Sequence, residues 1–144
     1  MPKLTTQERG GYTDAVRLTA ADLAAIASGG ARTIATIPAG GAVELVSLST
    51  SVAFSAAPTG NVSVGLASTP AKYILAAAPG QTVATAGRFN TGSGFTGGAT
   101  AAIDPVTVDT AVVLTAVAGN YAAQTSGEIV VALRILDPVR FNNA

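Results

Sequence analysis

Val46-Ser47-Leu48-Ser49-Thr50-Ser51-Val52-Ala53-Phe54 is the stretch whose reading decides the fold. Val46, Leu48, Thr50, Val52 and Phe54 share one parity, and Ser47, Ser49, Ser51 and Ala53 share the other. A period of two places the first set on one face of a β-strand, whereas a helix would scatter it around its circumference. Pro38-Ala39-Gly40-Gly41 breaks the chain before this run, and Ala57-Pro58-Thr59-Gly60-Asn61 breaks it afterwards. Each break leads into another β-like run, so the strand is expected to sit within a chain of antiparallel hairpins.

Similar runs continue outward from it. Ile34 and Ile37 mark a short strand ending at Pro38, and the quoted run extends back to Ala42, a length that calls for a bulge or bend near Ser47. Val62, Val64 and Leu66 alternate with Ser63 and Gly65. Tyr73–Leu75 and Gln81–Ala84 are weaker strand segments, and glycine-rich Arg88–Thr100 reads as a long loop. Pro105–Asp109 and Ala111–Val117 form the next pair, and Glu128–Asp137 the last strand, stopped by Pro138. Upstream, Leu18–Leu23 opens a helix of about two turns, with Thr19 as N-cap and Asp22 completing a capping box. Leu23 and Ile26 face the core, and Gly29-Gly30 ends the helix. Many short strands separated by turn signals predict an all-β, antiparallel fold: a sandwich, jelly roll or barrel. Residues 1–17, polar and broken by glycine, read as an extended N-terminal arm, and residues 18–144 as one β-sandwich domain.

Composition narrows the function classes. The 144 residues suffice for one domain with a sizeable core, and 36 of them are Leu, Ile, Val or Phe. Only 11% are charged, with eight basic and eight acidic side chains, against about 25% in ordinary domains. Ser, Thr, Ala and Gly must therefore cover much of the exterior, which suits a protein packed against others. The balanced charge argues against tracking nucleic-acid phosphates. The start lacks the apolar segment of a signal peptide, and the uncharged run Thr110–Gly127 holds too many polar residues to span a membrane.

With no histidine and no cysteine, the commonest catalytic bases, nucleophiles and transition-metal ligands are missing, so no enzyme, metal or cofactor role is expected. Gly92-Ser93-Gly94-Phe95-Thr96-Gly97 matches a dinucleotide-binding spacing but lacks the helix that should follow. Asp104 and Asp109 lie roughly 16 Å apart on an extended chain, too far for paired-carboxylate chemistry, and read as turn caps. Thr69-Pro70-Ala71-Lys72 reads as a turn, and Asn61-Val62-Ser63 is a glycosylation sequon only in a secreted protein.

The last strand is more informative. Ile129, Val131, Leu133 and Ile135 form a core row, but the opposite row, Val130, Ala132, Arg134 and Leu136, is also mostly apolar. A strand apolar on both faces is expected to be covered on both, either by the Arg88–Thr100 loop or by a neighbouring subunit. The candidate interface comprises Lys3, Glu8, Arg9, Tyr12 and Arg17 of the arm with Val130, Arg134 and Leu136 of this strand.

Taken together, Leu18-Thr19-Ala20-Ala21-Asp22-Leu23, the 33–43 segment Thr-Ile-Ala-Thr-Ile-Pro-Ala-Gly-Gly-Ala-Val, Val-Ala-Phe-Ser-Ala at 52–56, Val-Ser-Val-Gly-Leu-Ala at 62–67 and the closing 127–138 segment resemble small virion proteins of tailed bacteriophages. The resemblance is to capsid decoration or cement proteins with jelly-roll-like sandwiches. It implies a structural protein on the capsid surface, made in the host cytoplasm. It implies a homo-oligomer, often a trimer, whose partner is the major capsid protein, with no catalytic residues to carry over. The alternative is a tail or fibre module binding carbohydrate, which the absence of tryptophan and the presence of only three tyrosines disfavour.

Overall fold

The computed structural model describes residues 12–74, 89–91, 105–117 and 119–137. Within them the alternating runs form eight strands: β1 (Asp14–Thr19), β2 (Ala31–Ile37), β3 (Ala42–Val52), β4 (Val62–Leu66), β5 (Thr69–Ile74), β6 (Phe89–Thr91), β7 (Thr110–Ala116) and β8 (Glu128–Leu136). Helix α1 (Ala20–Gly29) joins β1 to β2, and a single 3-10 turn (Tyr121–Ala123) lies between β7 and β8.

The strands pair as one long hairpin would: β1 with β8, β2 with β7, β3 with β6 and β4 with β5, all antiparallel. Two further pairings, β3 with β8 and β4 with β7, roll that ribbon into two four-stranded sheets. Their orders are β1-β8-β3-β6 and β2-β7-β4-β5, the topology of a jelly roll. The antiparallel β-sandwich expected from the sequence is present, but the chain of consecutive hairpins is not. Only β4 and β5 are neighbours both in sequence and in a sheet; β3 lies between β8 and β6. Alternation tells a strand which face is apolar and says nothing about which strand borders its edge.

The inner faces meet in one core. Val46, Leu48 and Thr50 of β3 stand opposite Leu133, Val131 and Ile129 of β8. Val62, Val64 and Leu66 of β4 stand opposite Ala116, Leu114 and Val112 of β7. All twelve are buried. The bulges of β3 fall between Val43 and Leu45 and between Thr50 and Val52, on either side of the expected position near Ser47. The second one ends the period-two reading: Val52 is 46% exposed, while Phe54 turns back into the core at 8%.

Helix α1 begins as its sequence directs. The Asp22 N–H donates to the Thr19 hydroxyl (3.2 Å), and the Asp22 carboxylate accepts from the Thr19 N–H (2.9 Å). That backbone bond, first among several causes, holds the Asp22 carboxyl below its ordinary range. Ala20, Leu23 and Ile26 are buried, and Gly30, at φ 94°, ends the helix. Its ten residues make nearly three turns rather than two.

Three other expectations are corrected. Asp14–Arg17 belong to β1, not to an arm, because Val16 and Leu18 point inward against Val131 and Ile129; two apolar positions are too few to announce a strand. Residues 1–11 lie outside the described residues. Phe89–Thr91 pair with β3 inside the expected loop, and the rest of 88–100, with Gln81–Ala84, lies outside the described residues. Pro105–Asp109 form no strand; Val106 instead exchanges backbone hydrogen bonds with Gly40 and Gly41 at 2.7 and 2.8 Å. The Asp109 carboxylate caps that turn by accepting from the Ala39 N–H at 2.9 Å, and Asp104 is not among the described residues.

At the opposite end of the sandwich the β3–β4 connection (53–61) and the β7–β8 connection (117–127) are stitched together. Asn120 Oδ1 accepts from the Thr59 N–H (2.9 Å), its N–H donates to the Thr59 hydroxyl (3.0 Å), and its Nδ2 donates to the Ala57 carbonyl (3.0 Å). Gln124 Oε1 accepts from the Ser55 hydroxyl and the Ala56 N–H, both at 2.9 Å. Beneath them the buried Tyr121 hydroxyl donates to the Gly60 carbonyl at 2.6 Å, and its ring lies 6.0 Å from that of Phe54. Gly60 and Gly119 allow the approach: a Cβ on Gly60 would strike the Val117 carbonyl, and one on Gly119 the Gly60 backbone.

Two stability predictions follow from this packing. Thr50 Oγ1 is buried in the core with no hydrogen-bond partner, so Thr50→Val should raise the unfolding free energy by about 1 kcal/mol. A lower denaturation midpoint would show the hydroxyl to be bonded. Burial pushes the Tyr121 phenol from 10.0 up to about 12. An acid with a raised folded pKa stabilises fully below its unfolded value, so stability should fall as pH rises from about 10 through about 12. Tyr121→Phe should lose stability at neutral pH yet flatten that alkaline limb, as urea denaturation across the range would reveal.

Candidate functional site

The outer face of the first sheet gathers the described residues of the expected interface. With Ile129, Val131, Leu133 and Ile135 turned inward, β8 presents Val130, Ala132, Arg134 and Leu136 outward. Register brings Arg17 of β1 beside Val130, with Ser49 of β3 on Val130's other side. Ala15 and Ser47 flank Ala132 in the same way, and Leu45 lies beside Arg134. Arg17, Val130, Arg134 and Leu136 therefore share one surface. Tyr12 lies half-buried just before β1, where the Thr13 N–H donates to the Leu133 carbonyl at 2.9 Å. Lys3, Glu8 and Arg9 are outside the described residues.

This face is a low-charge strip closed at each end by an ion pair. At one end Arg17 Nη1 stands 3.2 Å from Glu128 Oε1, which also accepts from the Ser51 hydroxyl at 2.6 Å. At the other, Arg134 Nη1 stands 3.7 Å from Glu44 Oε2. Glu44 is the extra residue of the first bulge in β3, and the bulge is what sets its carboxylate near Arg134. Glu44, Leu45 and Ala15 were not legible as part of the surface, since only strand pairing places them beside β8.

The second row of β8 is half-buried throughout, so it is neither a closed interior nor a bare surface. Arg134 is correspondingly not a deeply buried guanidinium. Its side chain is 37% exposed, and the carboxylate near it belongs to Glu44 on the adjacent strand of the same chain.

No group of three His, Cys, Asp or Glu capable of holding a metal occurs among the described residues. Thr69–Lys72 forms the start of β5 rather than a free turn, with the Lys72 ammonium 5.9 Å from the Tyr73 ring centre. Val62 and Ser63 of the sequon are buried in β4. The glycine-rich 92–97 segment lies outside the described residues. No helix among the described residues is long and apolar enough to cross a membrane.

Strand order and face together define the class: a jelly-roll sandwich whose first sheet carries few charges on its outer face. No protein-family model and no curated protein matches the sequence. Among solved structures, the chain is similar to one from the cyanophage Pam1 capsid asymmetric unit, with a TM-score of 0.53 and 23% identity over 85% of this chain and 80% of that one. It also aligns with a chain in the acidic stable capsid structure of Helicobacter pylori bacteriophage KHP30, with a TM-score of 0.46 and 15% identity over 88% and 90% of the two chains. The first match shows a shared fold.

Because Arg134 and Glu44 are both partly solvated, reversing one charge should be tolerated by the fold. Arg134→Glu should cost no more than about 1 kcal/mol and keep the β circular dichroism spectrum. Loss of cooperative unfolding would instead place Arg134 in the interior.

Proposed function

We propose that this chain is a virion structural protein that decorates a bacteriophage capsid and cements it, binding the shell as a homotrimer. The observation that carries the reading is the fold, a jelly-roll sandwich in this chain, that it shares with a chain of a cyanophage capsid asymmetric unit. The outer face of the first sheet is the surface we assign to the shell: Arg17, Val130, Arg134 and Leu136 lie on it, and its ion pairs sit at its two ends. Such a face can form main contacts through its uncharged centre, with the charges at its rim fixing register. The protein is made in the host cytoplasm, resides on the capsid surface, and works without catalysis or cofactor.

The carbohydrate-binding alternative has less support. Sugar rings stack on exposed aromatic faces, yet Phe54, Tyr73 and Tyr121 are buried and Tyr12 is half-buried. The remaining aromatic side chains are not among those described.

The test is physical. Genome-filled particles of the parent phage should release DNA at a lower temperature when the gene is deleted, and adding back purified protein should restore the higher value. Equal release temperatures would overturn the cement role.

A further inference from the structure

The chain carries no charged residue between Glu44 and Lys72, nor between Asp109 and Glu128. These two stretches supply the stitched connections, 53–61 and 117–127, which lie at the same end of the sandwich as α1. The ion pairs Arg17–Glu128 and Asp22–Arg32 stand at the border of this end, and the connections themselves hold none. Their surface is instead uncharged, a mixture of small apolar side chains with Ser55, Thr59, Asn61, Thr125 and Ser126. Ala56, Ala57, Ala122 and Ala123 are exposed, and so are Val52 at 46% and Val117 at 52%. Those two valines are two of the three large apolar side chains exposed among the described residues; the third, Val108, lies at the far end.

We infer that this uncharged end is where copies of the chain meet around a rotation axis. Rotational symmetry brings the residues nearest the axis close to their own copies, so a charge there would face its like. A foreign partner imposes no such condition, and surfaces that recognise one commonly carry charges that its surface complements. Two whole connections without a charge, bounded by ion pairs, fit the first case. The contact is also preorganised. The bonds of Asn120 and Gln124 across the two connections fix their backbones before any partner arrives, which limits the ordering cost of association. The inference rests on the proposed reading only in taking the chain as an oligomer, and it leaves the outer face of the first sheet open to the shell.

The test places one charge at a time on the full-length protein: Ala56→Glu, Ala122→Glu and, at the far end, Val108→Glu. Sedimentation at micromolar concentration should give an oligomer for the wild type and for Val108→Glu. Each of the other two variants should weaken association at least tenfold while keeping the wild-type circular dichroism spectrum. Two sites are used so that one misfolded variant does not decide the matter. A monomeric wild type, undiminished association in the folded alanine variants, or equal dissociation by Val108→Glu would overturn the inference. DNA-release temperatures separate the two readings. A monomer that still protects particles would sink this contact alone, whereas an oligomer broken by Ala56→Glu that never protects them would sink the cement role alone.

Discussion

Everything in the first sheet depends on β8. It hydrogen-bonds to β1 on one edge and to β3 on the other, and its inward row meets Val16 and Leu18 on one side and Val46, Leu48 and Thr50 on the other. Without it β1 would have no partner among the described strands. The chain must therefore be complete to Leu133 before its first strand can pair along its whole length, a pairing that spans more than a hundred residues. Non-local closure of this kind carries its entropy cost early, so the topology favours slow folding.

That dependence explains what the sequence could and could not disclose. Strand faces were readable because the pleat imposes a period of two on each strand by itself: Val62–Leu66 appeared with its true bounds, and the Ile129–Ile135 row with its true face. The capping box of α1 was readable for the same reason, since Thr19 and Asp22 are three residues apart and need nothing distant. Edges were not readable. Which strand lies beside β3 depends on how the whole ribbon rolls, and the alternation in Val46–Phe54 is identical whether its neighbour is β2 or β8. The interface was half legible: Val130, Arg134 and Leu136 stood out on one strand, whereas Glu44 and Ala15 joined them only through register.

The points where the pattern fails are where the surface is made. A regular β3 would alternate without interruption. The bulge at Glu44 instead sets a carboxylate near Arg134, and the bulge before Val52 turns a valine out to solvent. Each departure sacrifices ladder regularity at one residue and changes what the exterior offers. Bulges of this kind re-aim side chains without disturbing the buried rows on either side.

The same reasoning accounts for the scarcity of charge. Ion pairs occur where a strand or helix end meets its neighbour: Arg17 with Glu128, Asp22 with Arg32, Arg134 with Glu44. All three are partly solvated, and such pairs contribute at most about 1 kcal/mol each, so they do little to hold the sandwich together. Their value lies in position. They border an outer sheet and an end whose remaining residues are mostly Ala, Val, Leu, Ser, Thr, Asn and Gln, uncharged side chains that can be covered at smaller desolvation cost than ions. A domain built to stay alone in water would spread its charges over those surfaces. Here Asn120 and Gln124 direct hydrogen bonds across the connections, and the side chains left outward are small and uncharged. The fold thus spends its polar groups on shaping the end and keeps charge at the border, an arrangement that suits a surface meant to be buried.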